Sequence, residues 1–295
     1  MSKDYHRQHY IPKSILKRFT NETGKLWYLD WTKNPNHDLI SPQRPKTCFY
    51  KKLTTSVRLA DGNYDHVAEH HFSRFEQSFA EFSEWYIGQL EKGKAPDLAP
   101  KQLELLREFS YFSMVRVPDF MDEETVYRDA IEHGIKETNL ADAEANAARA
   151  LAYEPQLKAN WIAHNRRSSW ASPMTDNELR FFAAGTFHVL SAKVSSAKFC
   201  LGSCGIPINQ PLGMVLPISP NWAFAQQFLP KPLERVQVLN PKGITSINNG
   251  LFRSSKTAVA TRTKTEMQNL IAANLTDKRV TKLLGTVKGQ KFMYS

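Results

Sequence analysis

Residues Tyr5–Phe19 read YHRQHYIPKSILKRF, and the rest of the chain is organised around this stretch. Ile15, Leu16 and Phe19 follow one another at helical spacing. Pro12 suits the first turn of such a helix, because a backbone N–H would have no partner there. The pattern predicts a short helix from Lys13, with His9 in an extended segment that leads into it.

The middle of the chain carries helical periodicity. The clearest helix is predicted over Asp65–Leu90, where aromatic residues recur every three or four positions: Phe72, Phe75, Phe79, Phe82 and Tyr86. A second helix is predicted over Pro100–Val117, before Pro118. Residues 122–152 are polar and rich in Ala and Glu, which predicts two helices broken near Asn139. We expect this part to form a helical insert over residues 122–172.

Strands are expected at both ends of the chain. An aromatic run, Lys25–Trp31, predicts an N-terminal strand, and three prolines predict a loop over residues 33–46. Residues 47–57 predict a short, irregular strand. Further strands are predicted over Phe187–Leu190, Lys198–Leu201, Met214–Ile218, Trp222–Phe228 and Val236–Leu239. Late helices are predicted over Thr175–Ala184, Gly243–Ser255 and Lys264–Ala273.

The order of these elements indicates the fold class. Helices dominate the middle and strands the C-terminal third, without the regular alternation of a doubly wound sheet. We predict a single α+β domain over residues 1–295. It has a helical middle and a C-terminal, mostly antiparallel sheet, which the N-terminal strand joins.

Composition restricts the partners. The chain has 295 residues and a formal net charge of +10, from 39 Lys and Arg against 29 Asp and Glu. This basic protein is expected to bind a polyanion, DNA or RNA above all, and a protein partner is a further expectation.

Three cysteines provide no disulfide framework and favour a reducing compartment. No apolar run approaches the roughly 20 residues of a membrane helix, and the charged N-terminus lacks an apolar signal core. A cytoplasmic location without membrane contact is expected.

Several short motifs resemble domain-of-unknown-function family 4238, a bacterial and phage family. They are His9-x-x-Pro12 with Leu16 and Phe19, Leu26–Leu29, Phe49-Tyr50, Glu69 and Glu76 seven apart, Arg116-Val117-Pro118, Pro217–Pro220, and Asn248 or Asn249. A Ser-Asp-x-Pro-Val step of the family is replaced here by residues 202–207, GSCGIP, which contain no aspartate. The resemblance implies an order of elements and no established activity. It gives no support to an activity that needs a carboxylate at the position of the missing aspartate, within residues 202–207.

One set of polar residues is the candidate catalytic site. Glu69 and Glu76 share a helix face, and Glu76 lies at the margin of the phenylalanine stripe. With His9 and Arg116 they would form an imidazole–carboxylate–guanidinium site for acid–base work or for a divalent metal such as Mg²⁺ or Mn²⁺. The alternative is structural, with His9 binding backbone groups and Glu76 paired to Arg116. The residues do not identify a metal.

Two basic groups are candidate nucleic-acid contacts. Lys13, Lys17 and Arg18 lie on the first helix, and Arg166 and Arg167 lie between Trp161 and Trp170. Arginines would meet phosphates while tryptophans stack on bases, or the tryptophans instead serve as packing anchors.

Three functions stay open. The first is a nucleic-acid-directed protein, in its sharper form a metal-dependent nuclease of a bacterial or phage defence (conflict) system. The second is a non-enzymatic nucleic-acid-binding or protein-interaction module whose polar cluster is structural. The third is a hydrolase or transferase acting on a nucleotide or a small phosphorylated ligand. If the protein is an enzyme, a hydrolase of the phosphodiesterase type is expected.

Overall fold

A computed structural model describes most of the chain. The described residues are 7–32, 40–52, 57–58, 63–65, 67–115, 117, 123–155, 157–158, 160–161, 185–206, 208–209, 213–227 and 235–280. The helices are α1 (Lys13–Arg18), α2 (Val67–Glu91), α3 (Pro100–Val115), α4 (Glu123–Thr138), α5 (Asp142–Ala152), α6 (Pro241–Ser254) and α7 (Lys264–Ala272). The strands are β1 (Arg7–His9), β2 (Leu26–Asp30), β3 (Ile40–Gln43), β4 (Tyr50–Lys52), β5 (Val57–Arg58), β6 (Tyr64–Asp65), β7 (Thr186–Ser191), β8 (Leu201–Gly202), β9 (Ile208–Asn209), β10 (Gly213–Pro217), β11 (Trp222–Gln227), β12 (Val236–Val238) and β13 (Ala258–Thr261).

These elements confirm the α+β class. The strands are divided between two larger sheets, where one was expected. One sheet has the order β12-β7-β11-β10-β9 and is antiparallel except for the pair β12–β7. The other has the order β3-β2-β13-β8 and is antiparallel. The N-terminal strand β2 pairs there with β13, where Leu29 lies opposite Val259.

Helix α2 packs its aromatic stripe on two neighbours. Phe79 is fully buried, and its ring stacks on Phe109 of α3 with centroids 3.4 Å apart. One turn later Phe82 stacks on Phe224 of β11, at 6.0 Å and an interplanar angle of 12°. Aromatic pairs of this kind add about 0.5–1.5 kcal/mol to the free energy of burial. The stripe therefore joins the helical middle of the chain to the five-stranded sheet.

The opening segment docks on α2. Pro12 stands just before α1, and its carbonyl accepts the first helical hydrogen bond from Leu16 N at 3.0 Å. Leu16 and Phe19 are fully buried in the same core as Phe79. Arg18 Nη2 donates to the carbonyl of Ala80 at 3.2 Å, so α1 and α2 are also linked by a polar contact.

Some sequence predictions were wrong. Within the predicted loop 33–46, residues 40–43 form β3, which tolerates Pro42 because it is an edge strand. Residues 198–200 are not strand, and the ladder begins only at Leu201. The predictions missed β13 because its four residues, AVAT, are buried on both faces and do not alternate.

The predicted helix pair in the middle is present. Asn139 has a φ of 49°, the left-handed conformation that asparagine tolerates at a helix end, and it separates α4 from α5. Arg149 of α5 holds the two helices together through Glu132, at 2.8 Å. The insert boundaries 122–172 and the single-domain organisation stay predictions. The predicted helix Thr175–Ala184 lies outside the described residues. None of the described helices is both long enough and apolar enough to cross a membrane.

Candidate ligand site

His9 lies buried at the end of β1. Its Nε2 is 3.2 Å from the carbonyl oxygen of Pro45, and its ring lies 5.8 Å from the ring of Tyr50. A carbonyl can only accept, so Nε2 carries the proton in this contact. This contact matches the structural interpretation of His9, and the catalytic interpretation stays a prediction.

The other members of the predicted catalytic set are only partly described. Glu76 is half-buried on α2, between Phe75 and Phe79 of the aromatic stripe. Glu69 lies in α2, but its side chain is outside the described residues, and so is Arg116. Within the described part of the chain, no three His, Cys, Asp or Glu side chains form a group suited to a metal ion.

The predicted basic contacts differ in exposure. Lys13 and Lys17 are exposed on α1, whereas Arg18 is half-buried against α2. Burial lowers the pKa of Arg18, and the negative charge of Glu84 opposes this shift. Arg166 and Arg167 lie outside the described residues. Trp161 contacts Tyr127 with ring centroids 4.9 Å apart, which agrees with its use as a packing anchor.

Two serines near the family motifs are structural. Ser219 Oγ accepts the N–H of Trp222 at 3.1 Å, within the turn that joins β10 to β11. Ser203 Oγ accepts the N–H groups of Thr257 and Ala258 at 3.0 and 3.2 Å. Both hydroxyls therefore hold backbone in place, and neither is a candidate nucleophile.

A cavity of about 330 Å³ lies between the helical layer and the five-stranded sheet. We call it the arginine cavity. Its lining comes from the end of α2, the following loop, the start of α3, strands β7 and β11, and the residue before β12: Tyr86, Pro96, Asp97, Leu98, Leu103, Arg107, Gly185, Thr186, Phe187, His188, Val189, Phe224 and Arg235. Sites for small molecules in proteins have about this volume, roughly 300–1,000 Å³.

Two guanidinium groups give this cavity positive charge. Arg235 Nη1 donates to the carbonyl of Ala95 at 2.7 Å, and Nη2 pairs with the carboxylate of Asp97. Arg107 is different, because its Nε is shielded from solvent and has no hydrogen-bond acceptor among the described residues. Leaving such a donor unsatisfied costs about 1–3 kcal/mol, more for a charged group. The guanidinium charge of Arg107 on this wall of the cavity attracts an anion.

The remaining walls of the arginine cavity consist of aromatic side chains and a buried histidine. Tyr86 and Phe224 lie 5.5 Å apart, and the Tyr86 hydroxyl donates to the carbonyl of Pro96 at 3.4 Å. Burial raises the pKa of Tyr86, and the positive charge of Arg235 opposes that shift. His188 is almost fully buried on β7, opposite Ala225 of β11.

Sequence reasoning missed these residues. Arg107 stands four positions after Leu103, on the apolar side of α3, and His188 interrupts an apolar strand. An ionisable residue inside an apolar pattern is a sequence signal that indicates a candidate site residue. What the sequence could not reveal is that α3, β7 and the start of β12 meet around one cavity.

The fold and this cavity define an α+β protein with a basic, ligand-sized site. The family model described as "Protein of unknown function (DUF4238)" matches residues 7–265, and the chain belongs to that family. The family membership that the short motifs indicated is thereby confirmed. Neither a curated protein nor a solved structure matches the chain.

Proposed function

We propose that the protein binds a nucleotide or a similar phosphorylated small molecule in the arginine cavity. The observation that carries the proposal is the pair of guanidinium groups, those of Arg107 and Arg235, on the lining of one cavity. A ligand phosphate in the cavity would neutralise part of this positive charge. Hydrogen bonds that involve a charged group contribute about 1.5–3 kcal/mol each.

The second guanidinium extends the anion site to the mouth of the cavity. Arg235 has about half of its side chain exposed, and its bond to Asp97 is formed at the surface. Exposed ion pairs contribute only about 0–1 kcal/mol. A multiply charged phosphate can therefore exchange places with the Asp97 carboxylate at small cost, and two arginines would then hold it.

The aromatic and aliphatic walls favour a ligand with an apolar, planar part. Tyr86, Phe187 and Phe224 line the cavity together with Leu98 and Leu103. Purine or pyrimidine rings bury well against such side chains, while free phosphate would leave these walls unused. A nucleotide uses both halves of the site, so it should bind more tightly than either half alone.

Thermal unfolding and calorimetric titration test this proposal. The full chain is titrated with the purine nucleotides ATP, ADP and AMP, with the pyrimidine nucleotides UTP and UMP, and with adenosine, ribose 5-phosphate and inorganic phosphate. We expect at least one nucleotide to raise the melting temperature, since a ligand at 100 times its Kd stabilises the native state by about 2.7 kcal/mol. Adenosine and phosphate should bind at least tenfold more weakly. Failure of purine and pyrimidine nucleotides alike at millimolar concentration would exclude the proposal.

A second candidate is nucleic-acid binding through α1. Lys13 and Lys17 are exposed on this helix, while Ile15, Leu16 and Phe19 are buried beneath it. The net charge of +10 favours the same class of partner. In its sharper form this candidate is a metal-dependent nuclease of a bacterial or phage defence system acting inside the cell, with His9, Glu69, Glu76 and Arg116 in the site.

Binding and cleavage are separated by one set of assays. Labelled DNA and RNA are titrated at several salt concentrations, with and without Mg²⁺ or Mn²⁺. Replacing Lys13 and Lys17 together by Gln should weaken binding and lower the salt slope by about 2, because each phosphate contact contributes about 0.9. An unchanged slope would exclude α1 as the contact. Cleavage by the wild type that persists in folded His9→Ala and Glu76→Ala variants would exclude the nuclease site.

A further inference from the structure

A second cavity, of about 320 Å³, lies on another part of the molecule. It is formed by α6, α7, the end of β13 and the segment before β8, and it shares no described lining residue with the arginine cavity. We call it the amide cavity after its three asparagines. Its lining residues are Ser196, Ala197, Lys198, Pro241, Thr245, Asn248, Asn249, Thr261, Glu266, Asn269, Leu270 and Ala273.

The walls of the amide cavity are fixed by hydrogen bonds. Asn248 accepts a hydrogen bond from the N–H of Cys200 at 3.2 Å and donates one to the carbonyl of Lys198 at 2.7 Å. These two bonds tie α6 to the segment before β8. Asn249 Oδ1 accepts a hydrogen bond from Asn274 at 2.9 Å. A cavity with such braced walls is formed before any ligand arrives, which reduces the entropy cost of binding.

Lys198 provides a positive charge on one side. Its Nζ donates to the carbonyls of Ala192 and Lys193 at 2.8 and 3.2 Å. An ammonium group has three N–H donors, so these two bonds, the ones found among the described residues, leave a third donor for a ligand. Burial lowers the pKa of Lys198, and the negative charge of Glu266 opposes this shift.

Glu266 provides a negative charge in the same cavity. It stands in the first turn of α7, where its Oε2 accepts the N–H of Thr263 at 3.0 Å. Its second oxygen is not needed for the cap and can accept a hydrogen bond from a cationic ligand group.

We propose that the amide cavity binds a free α-amino acid, with the ligand carboxylate at Lys198 and its ammonium at Glu266. Opposite formal charges of the lining cancel, which disfavours phosphate and other net anions. Leu270, Ala273 and Pro241 provide an aliphatic wall for the ligand side chain. This inference does not depend on the arginine cavity.

A calorimetric screen of the full-length chain against the twenty amino acids tests it. For the best ligand, the N-acetyl derivative lacks the ammonium and the corresponding amine lacks the carboxylate. We expect the amino acid to bind and both analogues to bind at least tenfold more weakly. A neutral monosaccharide that binds in place of every amino acid, or an N-acetyl derivative that binds equally well, would overturn the proposal. So would the absence of any binding at 10 mM ligand, about the level of a very weak complex.

Variants locate the binding. Glu266→Gln keeps an oxygen for the cap but removes the charge, and it should weaken binding at least tenfold. Asn269→Ala, at the exposed rim, should weaken binding without loss of fold, and Gln268→Ala on the same helix is its control because Gln268 does not line the cavity. Affinity that is equal in Glu266→Gln, Asn269→Ala and Gln268→Ala would show that the amino acid binds elsewhere. Added nucleotide should not compete, because the two cavities are separate.

Discussion

Arg235 donates a hydrogen bond to the backbone carbonyl of Ala95 at 2.7 Å, across the boundary between the five-stranded sheet and the loop after α2. Its second terminal nitrogen pairs with the carboxylate of Asp97 in the same loop. One guanidinium therefore both ties the two layers together and places positive charge at the mouth of the arginine cavity. In the proposed complex a ligand phosphate would replace this carboxylate at Arg235.

Removing that carboxylate should strengthen anion binding. In Asp97→Asn the competing charge is lost, so we expect nucleotide affinity to rise about two- to fivefold, the equivalent of an exposed ion pair worth about 0.5–1 kcal/mol. Stability should change little, since 86% of the Asp97 side chain is exposed. Calorimetric titration measures the change. Asp129→Asn, which removes another surface partner of an arginine, serves as the control. A fall in affinity would mean that Asp97 itself contacts the ligand.

Arg107 should be the stronger anion contact. In Arg107→Gln the cavity loses a guanidinium group, and we expect nucleotide affinity to fall about 10- to 100-fold, because charged hydrogen bonds contribute about 1.5–3 kcal/mol. The free energy of unfolding without ligand should stay equal or rise, since an unsatisfied buried group is removed. Arg128→Gln, on the exposed surface of α4, should leave the affinity unchanged. If Arg107→Gln and Arg128→Gln bind the nucleotide with equal affinity, Arg107 is not part of the binding site.

Glu91 should make the stability of the fold depend on pH. Lys193 and Trp222 donate hydrogen bonds to its carboxylate, at 2.8 and 2.6 Å, and thereby hold the pKa of Glu91 below its ordinary value. A lowered folded-state pKa stabilises the native state above the unfolded pKa of about 4.3 and loses this contribution as pH falls through the folded value. Urea unfolding at pH 7 and pH 3 measures the effect.

The variant Glu91→Gln tests the direction of this pH dependence of stability. Glu91→Gln should be less stable than the wild type at pH 7. The difference in the free energy of unfolding should narrow towards pH 3, where a larger fraction of the wild-type carboxyl is protonated. Glu104→Gln, on the exposed face of α3, should not show that narrowing. A difference for Glu91→Gln that is the same at both pH values would rule out the proposed ion pair as its cause.

Gly202 should not tolerate a side chain. A methyl group at this position of β8 would overlap Ser255 Oγ and the side chain of Leu251. Gly202→Ala is therefore expected to lower the free energy of unfolding by about 1–3 kcal/mol, the usual cost of overpacking. Gly88→Ala is the control, since α2 leaves open space there and alanine should add about 0.5–1 kcal/mol. Chemical denaturation of both variants checks the pair, and equal stability would contradict the close packing of β8 on α6.

Local patterns were enough to predict most of the helical architecture. The spacing of Phe72 to Tyr86 predicted α2, and Pro12 with Ile15, Leu16 and Phe19 predicted α1. Strands were harder, because β13 is short, buried on both faces and rich in alanine, and because β3 carries a proline. Periodicity could not show that two separate sheets form, since pairing joins residues as distant as Leu29 and Val259.

The candidate site was less predictable than the fold. His9 was selected for its place in a motif, yet its Nε2 binds the carbonyl of Pro45. Arg107 and Arg235 are 128 positions apart, and only the packing of α3 on the sheet brings them to one cavity. No local pattern connects such residues. Charge composition did indicate an anionic partner, which is the property that both proposed nucleotide and nucleic-acid functions share.

Photo-cross-linking with an azido-purine nucleotide tests the central claim most directly. The full-length chain is irradiated with this probe, with and without excess unmodified nucleotide, and the labelled peptides are identified by mass spectrometry. We predict that competed label falls on the peptides that contain Tyr86, Phe187 or Phe224, which line the arginine cavity. Label confined to the peptide of Lys13 and Lys17, or label that excess nucleotide does not displace, would contradict a nucleotide site in that cavity.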